Sequence, residues 1–87
     1  MTYQIITPKS VQKQIDALPE EIRYRIDEAV KALAENPRPD GVAKMKGSDS
    51  EYRIRIRNYR VIYEINDGEL IILLIQCKHR REVYKKQ

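Results

Sequence analysis

Cysteine, long apolar runs and repeated segments are scarce or absent in this chain of 87 residues. With Cys77 as its one cysteine, the sequence offers neither a disulfide framework nor a zinc cluster. No apolar run is long enough to cross a membrane, and no charged-then-apolar leader for export opens the sequence. We therefore expect one domain over residues 1–87, located in a reducing cytoplasm and without a membrane partner.

Positive charge is concentrated in the second half of the chain. Residues 1–41 hold six Lys and Arg against seven Asp and Glu, which gives a net charge of −1. Residues 42–87 hold eleven against six, which gives +5 and accounts for the whole excess of a chain with a formal net charge of +4. This asymmetry is typical of a domain with one polyanion-binding side.

The first half of the chain predicts a short strand and two helices. Residues 3–7 form the strand, and Thr7-Pro8 suits an N-cap followed by a first helical position. The second helix opens at Pro19 and ends at Asn36-Pro37. Apolar residues recur at spacings of three and four in both helices, at positions 11, 15 and 18 and at positions 22, 26, 29, 30 and 33. We expect a helical hairpin that covers one face of a sheet.

The second half predicts a meander of three antiparallel strands. Strands over about 51–57 and 60–66 flank a tight turn at Asn58-Tyr59, and Asn66-Asp67-Gly68 signals a second hairpin turn. The following strand, 69–77, is almost continuously apolar, which predicts a central strand buried on both faces. With residues 3–7 paired onto the meander, the predicted fold is α+β, in the order β-α-α-β-β-β. The helical hairpin packs on one face of a mostly antiparallel sheet, and the other face is open.

Arginine alternates with apolar residues at the start of this meander. Alternate side chains of a strand share a face, so Arg53, Arg55 and Arg57 are predicted to line the open face, and Arg60 begins the next strand. Guanidinium groups stay charged near neutral pH, and their planar forks match phosphate oxygens. The open face is therefore either an ordinary solvated surface or a polyanion-binding site.

Four segments together resemble the RelE/ParE superfamily of bacterial toxins, and the resemblance covers essentially the whole chain. They are Lys46-Gly47, Tyr52-Arg-Ile-Arg-Ile56, Asn58-Tyr-Arg-Val-Ile-Tyr63 and His79-Arg-Arg-Glu-Val-Tyr84. The resemblance implies the RelE-like fold and a toxin that an antitoxin, encoded alongside, neutralises. RelE-like members cut mRNA in the ribosomal A site, whereas ParE-like members share the fold and poison DNA gyrase.

The RelE-like pattern implies a metal-independent endoribonuclease without a cofactor, in which the ribose 2′-hydroxyl attacks the adjacent phosphate. Arg60 and Arg80 would hold the scissile phosphate, and Tyr84 would stack on a base or orient the substrate. The matching catalytic positions are Arg53, Arg55, Arg60, His79, Arg80 and Tyr84. The surrounding cations that would dock on 16S ribosomal RNA are Lys44, Lys46, Arg57 and Arg81.

The group that takes the 2′-hydroxyl proton is left open by these residues. Arginine is a poor base because it holds its proton so firmly. His79 is the only histidine and could act as base or acid, while Glu82 and Glu64 are weaker candidates. Alternatively, no strong base exists and the ribosome aligns the reacting groups.

We therefore expect a toxin that inhibits translation as a ribosome-dependent endoribonuclease, with the 70S ribosome, its 16S RNA and mRNA as partners. The alternatives are a ParE-like gyrase poison and a catalytically inert RNA-binding module on the same fold. The expected antitoxin places an extended, acidic helical segment across the protein. That segment either covers the arginine face or displaces the C-terminal segment.

Overall fold

The computed structural model describes residues 2–79, which form two helices and a five-stranded sheet. In chain order the elements are β1 (Gln4–Ile6), α1 (Lys9–Asp16), α2 (Glu20–Glu35), β2 (Ala43–Lys44), β3 (Glu51–Ile56), β4 (Tyr59–Asn66) and β5 (Ile71–His79). The sheet order is β1-β5-β4-β3-β2, in which β1 runs parallel to β5 and every other neighbouring pair is antiparallel. This architecture confirms the predicted α+β class.

Both helices follow the predicted apolar periodicity. Val11 and Ile15 of α1 are buried, as are Ile26, Val30 and Leu33 of α2, and these side chains lie on the sheet. The predicted cap at Thr7 is wrong, because Pro8 is the capping residue and makes no side-chain hydrogen bond. Neither helix in residues 2–79 is long and apolar enough to span a membrane.

The core lies between the helices and one face of the sheet. Val61 and Tyr63 of β4, with Ile72 and Leu74 of β5, are almost completely buried there. The Tyr63 hydroxyl donates to the Pro37 carbonyl oxygen at 2.8 Å, so the polar tip of this core residue is satisfied. Burial raises the pKa of the Tyr63 phenol to about 12. The helices leave the opposite face uncovered, and this is the open face on which the sequence predicts the alternating arginines.

Three details of the sheet differ from the sequence prediction. The β3–β4 turn consists of Arg57-Asn58, because Tyr59 already pairs with Ile56. The two-residue strand β2 was not predicted, since two residues are too short for a recognisable alternation. Strand β5 is fully buried only at alternate positions through Leu74 and half-buried between them, so the prediction of burial on both faces is wrong.

A polar clamp ties the loop after α2 to the β4–β5 turn. An Arg38 Nη2–H group donates to Asp67 Oδ2 at 2.9 Å, and the Tyr3 hydroxyl donates to Asp67 Oδ1 at 2.6 Å. Arg38 Nε–H also donates to the Tyr52 hydroxyl oxygen at 3.2 Å. The hydrogen bonds from Arg38 and then Tyr3 lower the pKa of the Asp67 carboxyl. The clamp therefore connects the start of the chain, the loop and the turn at one end of the sheet.

Candidate nucleic-acid interface

Three cations stand side by side across three neighbouring strands of the open face. Arg55 of β3 pairs directly with Arg60 of β4, and Arg60 pairs directly with Lys78 of β5. Residues directly opposite in an antiparallel pair share a face, with Cβ atoms about 4.5–5.5 Å apart. Arg53 lies two residues before Arg55 on the same face. We call Arg53, Arg55, Arg60 and Lys78 the cation cluster.

Such a cluster is unfavourable unless something negative binds it. Like charges directly opposite on neighbouring strands destabilise a sheet. No Asp or Glu within residues 2–79 forms an ion pair with Arg53, Arg55 or Lys78. Phosphate is an anion whose oxygens match the planar forks of guanidinium groups.

Arg60 lies deeper in the cluster than the sequence prediction implied. Its side chain is only 4% exposed, and it is the one charged residue among the buried side chains of the described chain. Arg55 is exposed, and Arg53 and Lys78 are half-exposed. The expectation that all these cations lie open on the face is thus corrected for Arg60. A charge held in a partly dehydrated position acts on a nearby phosphate more strongly than a hydrated one.

Two of the predicted RNA-docking residues lie away from the open face. Arg57 occupies the β3–β4 turn with a φ of 57° instead of continuing the line of Arg53 and Arg55. Its Nη2 atom lies 3.7 Å from Glu21 Oε2 on α2. Lys44 pairs with Tyr52 and so lies on the helix side of the sheet, with its Nζ atom 3.9 Å from Asp49 Oδ1.

Lys46 is exposed in the loop between β2 and β3. Arg80, Arg81 and Tyr84, together with Glu82, lie outside the described residues.

The structure separates His79 from the cation cluster. His79 pairs with Tyr59, which pairs with the buried Ile56, so His79 lies on the helix-covered face. Its ring meets the Tyr59 ring edge-on at a centroid distance of 5.0 Å. It also lines a cavity of about 320 Å³ beside Gln14 and Leu18 of the helical hairpin. The expectation that His79 stands beside the arginines is therefore corrected.

Lys78 is the member of the cluster that sequence reasoning missed, and an irregularity in the sheet explains why. The register between β4 and β5 shifts between Ile62 and Tyr63. Counting back from the Asn66-Asp67-Gly68 turn without this shift would place Cys77 opposite Arg60 and send Lys78 to the helix side. A bulge inserts one residue into one strand and reverses the facing of everything beyond it.

Glu64, a weaker candidate base, shares the open face but lies four residues along β4 from Arg60. That spacing corresponds to roughly 13 Å. Its Oε2 atom accepts a hydrogen bond from the Ser50 hydroxyl at 3.3 Å. Glu64 is therefore a neighbour of the acidic Glu51 and not a member of the cation cluster.

Comparison with known proteins places this geometry in a family. The family model described as ParE toxin of type II toxin–antitoxin system, parDE, matches residues 5–84. The protein described as putative toxin RelE1 of Methanocaldococcus jannaschii is 31% identical over an alignment of 88 positions, which covers 98% of each chain. The RelE of the archaeal RelE–RelB complex from Pyrococcus horikoshii OT3 matches with a TM-score of 0.83 and 33% identity, over 92% of this chain and 97% of that one.

The fold itself is shared more widely. The isolated E. coli RelE toxin matches with a TM-score of 0.79 over 95% of this chain and 92% of its own, at 24% identity. The family match across residues 5–84, the archaeal relative and the common arrangement of helices and sheet all agree with the resemblance seen in the sequence. The chain therefore belongs to the RelE/ParE superfamily and is a RelE-type toxin of a type II toxin–antitoxin system.

Proposed function

We propose that this toxin cuts mRNA in the ribosomal A site, with the cation cluster bound to the scissile phosphate. The observation that carries the proposal is the row formed by Arg55, Arg60 and Lys78 across three strands. A surface needed only for solubility would not place three like charges directly opposite one another. Membership of the RelE/ParE superfamily supports the proposal, because the RelE-like pattern in the sequence implies this class of reaction.

The chemistry that such a cluster provides is stabilisation of developing negative charge. The 2′-oxygen forms a bond to phosphorus while the bond from phosphorus to the 5′-oxygen of the next nucleotide breaks, which leaves a 2′,3′-cyclic phosphate. Charge builds on the non-bridging oxygens during this step, and fixed cations stabilise that state more than the ground state. Arg53 and Arg55 lie at the surface of the cluster, where they can reach those oxygens. The buried Arg60 contributes its charge from beneath them. Arg80 and Tyr84 keep the proposed roles of phosphate contact and base stacking.

Lys78 is the proposed proton-transfer residue for the 2′-hydroxyl. An arginine holds its proton too firmly to act as a base, whereas a lysine can release its proton in a suitable site. Lys78 is directly opposite Arg60, while His79 faces the helices on the other side of the sheet. Lys78 is therefore the residue of the row that can exchange a proton with the 2′-hydroxyl, which the arginines and His79 cannot do.

The proposed partners follow from the excess of positive charge in residues 42–87. Lys46 and Arg57, with Lys44 and Arg81, are proposed to contact 16S ribosomal RNA in the cytoplasm, and this binding should weaken with salt. The Pyrococcus relative was solved as a complex with RelB. We propose that a corresponding antitoxin binds this chain with an acidic segment.

The test compares mRNA cleavage by the purified protein with and without programmed ribosomes and maps the 5′ ends of the products. Cuts confined to the A-site codon and dependent on ribosomes support the proposal. The Lys78→Ala variant should lose this activity. The matched control is Lys31→Ala, since Lys31 is exposed on α2 and forms only a loose 4.0 Å pair with Glu28. Equal loss in both variants would count against a specific role for the cluster.

Poisoning of DNA gyrase is the second candidate function, because the matching family model is that of the ParE toxin. Inhibition of gyrase supercoiling that survives Lys78→Ala, with no cleavage of mRNA, would favour this candidate. RNA binding without cleavage or gyrase inhibition would indicate a catalytically inert RNA-binding module on the same fold.

A further inference from the structure

A groove between α2 and the end of β3 has features that the cleavage reaction does not use. It has a volume of about 390 Å³ and is lined in part by Tyr24, Arg25, Arg55 and Arg57. Tyr24 is 64% exposed, more than any other tyrosine among residues 2–79. We call this the Tyr24 groove.

The shape of the groove follows from the short edge strand. Strand β2 pairs only with Tyr52 and Arg53, so it does not extend along β3 from Ile54 to Ile56. Helix α2 forms the facing wall. The groove therefore opens at the side of the sheet, next to the β3–β4 turn.

Arg55 connects the Tyr24 groove with the cation cluster. It pairs with Arg60 on the open face and also lines the groove. A polynucleotide that runs along the row of cations can therefore continue around the edge of β3 and into the groove. One RNA strand can therefore contact the cation cluster and the Tyr24 groove in a single binding event.

The charge of the groove remains positive after its ion pairs are considered. Arg25 and Arg57 share one carboxylate, that of Glu21, at 3.6 and 3.7 Å. Glu28, which also lines the groove, lies 4.0 Å from Lys31. Arg25, Arg55 and Arg57 thus bring three positive charges to the groove, against the two carboxylates of Glu21 and Glu28.

We propose that the Tyr24 groove binds one unpaired nucleotide of RNA, with its base stacked on the Tyr24 ring and its phosphate at Arg55 and Arg57. An exposed aromatic ring beside arginines is the arrangement with which proteins hold single-stranded RNA. The inference rests on the proposed function and extends the RNA contact beyond the scissile phosphate.

Fluorescence provides a local test, because the chain contains no tryptophan. The Tyr24→Trp variant is titrated with a single-stranded RNA oligonucleotide and with an RNA duplex of equal length. Saturable quenching by the single strand alone, weaker at high salt, supports stacking in the groove. The control is Ala32→Trp, at an exposed position about 12 Å further along α2. Absence of quenching, or equal quenching in the control, overturns the inference.

Affinity measurements separate stacking from other uses of Tyr24. Tyr24→Ala should weaken single-stranded RNA binding about ten-fold, while Tyr24→Phe should stay within about two-fold of the parent. Equal weakening in both variants would assign the effect to the hydroxyl group and overturn stacking. Unchanged RNA affinity in Tyr24→Ala, with weaker binding of an acidic helical peptide, would make the groove a protein contact and also overturn the inference.

The same experiments keep this inference separate from the proposed function. If RNA does not quench the fluorescence of Tyr24→Trp but the variant still cuts mRNA in the A site, only the proposed RNA site in the Tyr24 groove is overturned. Quenching by single-stranded RNA in a protein that does not cut mRNA overturns the nuclease and leaves the groove as an RNA site.

Discussion

Replacing Arg57 by asparagine should stabilise the fold while weakening RNA binding. Arg57 has a φ of 57° in the two-residue turn between β3 and β4. The left-handed region costs an ordinary L residue roughly 1–2 kcal/mol, whereas asparagine tolerates it well. The exchange also removes the ion pair with Glu21, whose atoms are 3.7 Å apart and whose side chain is 73% exposed. Such exposed pairs contribute about 0–1 kcal/mol.

The net gain expected for Arg57→Asn is therefore about 0.5–1 kcal/mol, or about 2–8 °C in the midpoint of thermal unfolding for a domain of this size. Circular dichroism during heating gives this midpoint. Arg57→Val should shift it the other way, because a β-branched residue is poorly tolerated at positive φ. Arg55→Asn is the matched control, since residue 55 lies within β3 and asparagine is unfavourable in strands. An Arg57→Asn variant less stable than the parent would refute the argument from backbone strain.

A role in RNA binding would explain why an arginine occupies this position of positive φ. Backbone strain persists at sites where it serves a function. Arg57 projects from the turn into the Tyr24 groove, so its loss should weaken binding of single-stranded RNA. A variant that is more stable and also binds RNA as tightly as the parent would leave the strain without a functional explanation.

Three further predictions concern Lys78, Asp67 and Tyr63. Lys78→Arg should keep RNA affinity but slow ribosome-dependent cleavage at least about 100-fold, because arginine keeps the charge but cannot exchange a proton with the substrate. Cleavage at the parental rate by this variant would show that Lys78 acts through charge alone. The pKa of Asp67 is lowered by Arg38 and Tyr3, so its contribution to stability is present above the unfolded pKa and lost as pH falls through the lower, folded pKa. Urea midpoints from pH 7 to pH 2.5 should show this acid-dependent loss in the parent and less of it in Asp67→Asn, and parallel curves would contradict it. Tyr63→Phe removes the donor to the Pro37 carbonyl and should lower the unfolding free energy by about 1 kcal/mol in urea, whereas an unchanged midpoint would mean that the bond contributes nothing.

The helices and hairpins could be predicted from the sequence because their signals are local. Apolar spacing gave the buried faces of α1 and α2, and Asn66-Asp67-Gly68 gave the β4–β5 turn. The β3–β4 turn was misplaced by one residue because positive φ is expected at Asn58, whereas the structure has it at Arg57.

The candidate site was only partly predictable because it depends on register across three strands. The alternation in β3 correctly put Arg53 and Arg55 on one face. The turn predicted at Asn58-Tyr59 would have placed Arg57 opposite Arg60, whereas the observed turn places Arg55 there. The shift between Ile62 and Tyr63 then decides that Lys78 and not Cys77 faces Arg60. A bulge of this kind has no reliable signal in a single sequence, since it arises from packing between strands. The burial of Arg60 is likewise a tertiary property.

Mapping the 5′ ends of mRNA on programmed ribosomes shows whether the cation cluster cuts mRNA on the ribosome. We expect cuts within the A-site codon by the parent and by Lys31→Ala, none without ribosomes, and none with Lys78→Ala. Undiminished A-site cutting by Lys78→Ala, or no cutting by the parent protein, would contradict this expectation.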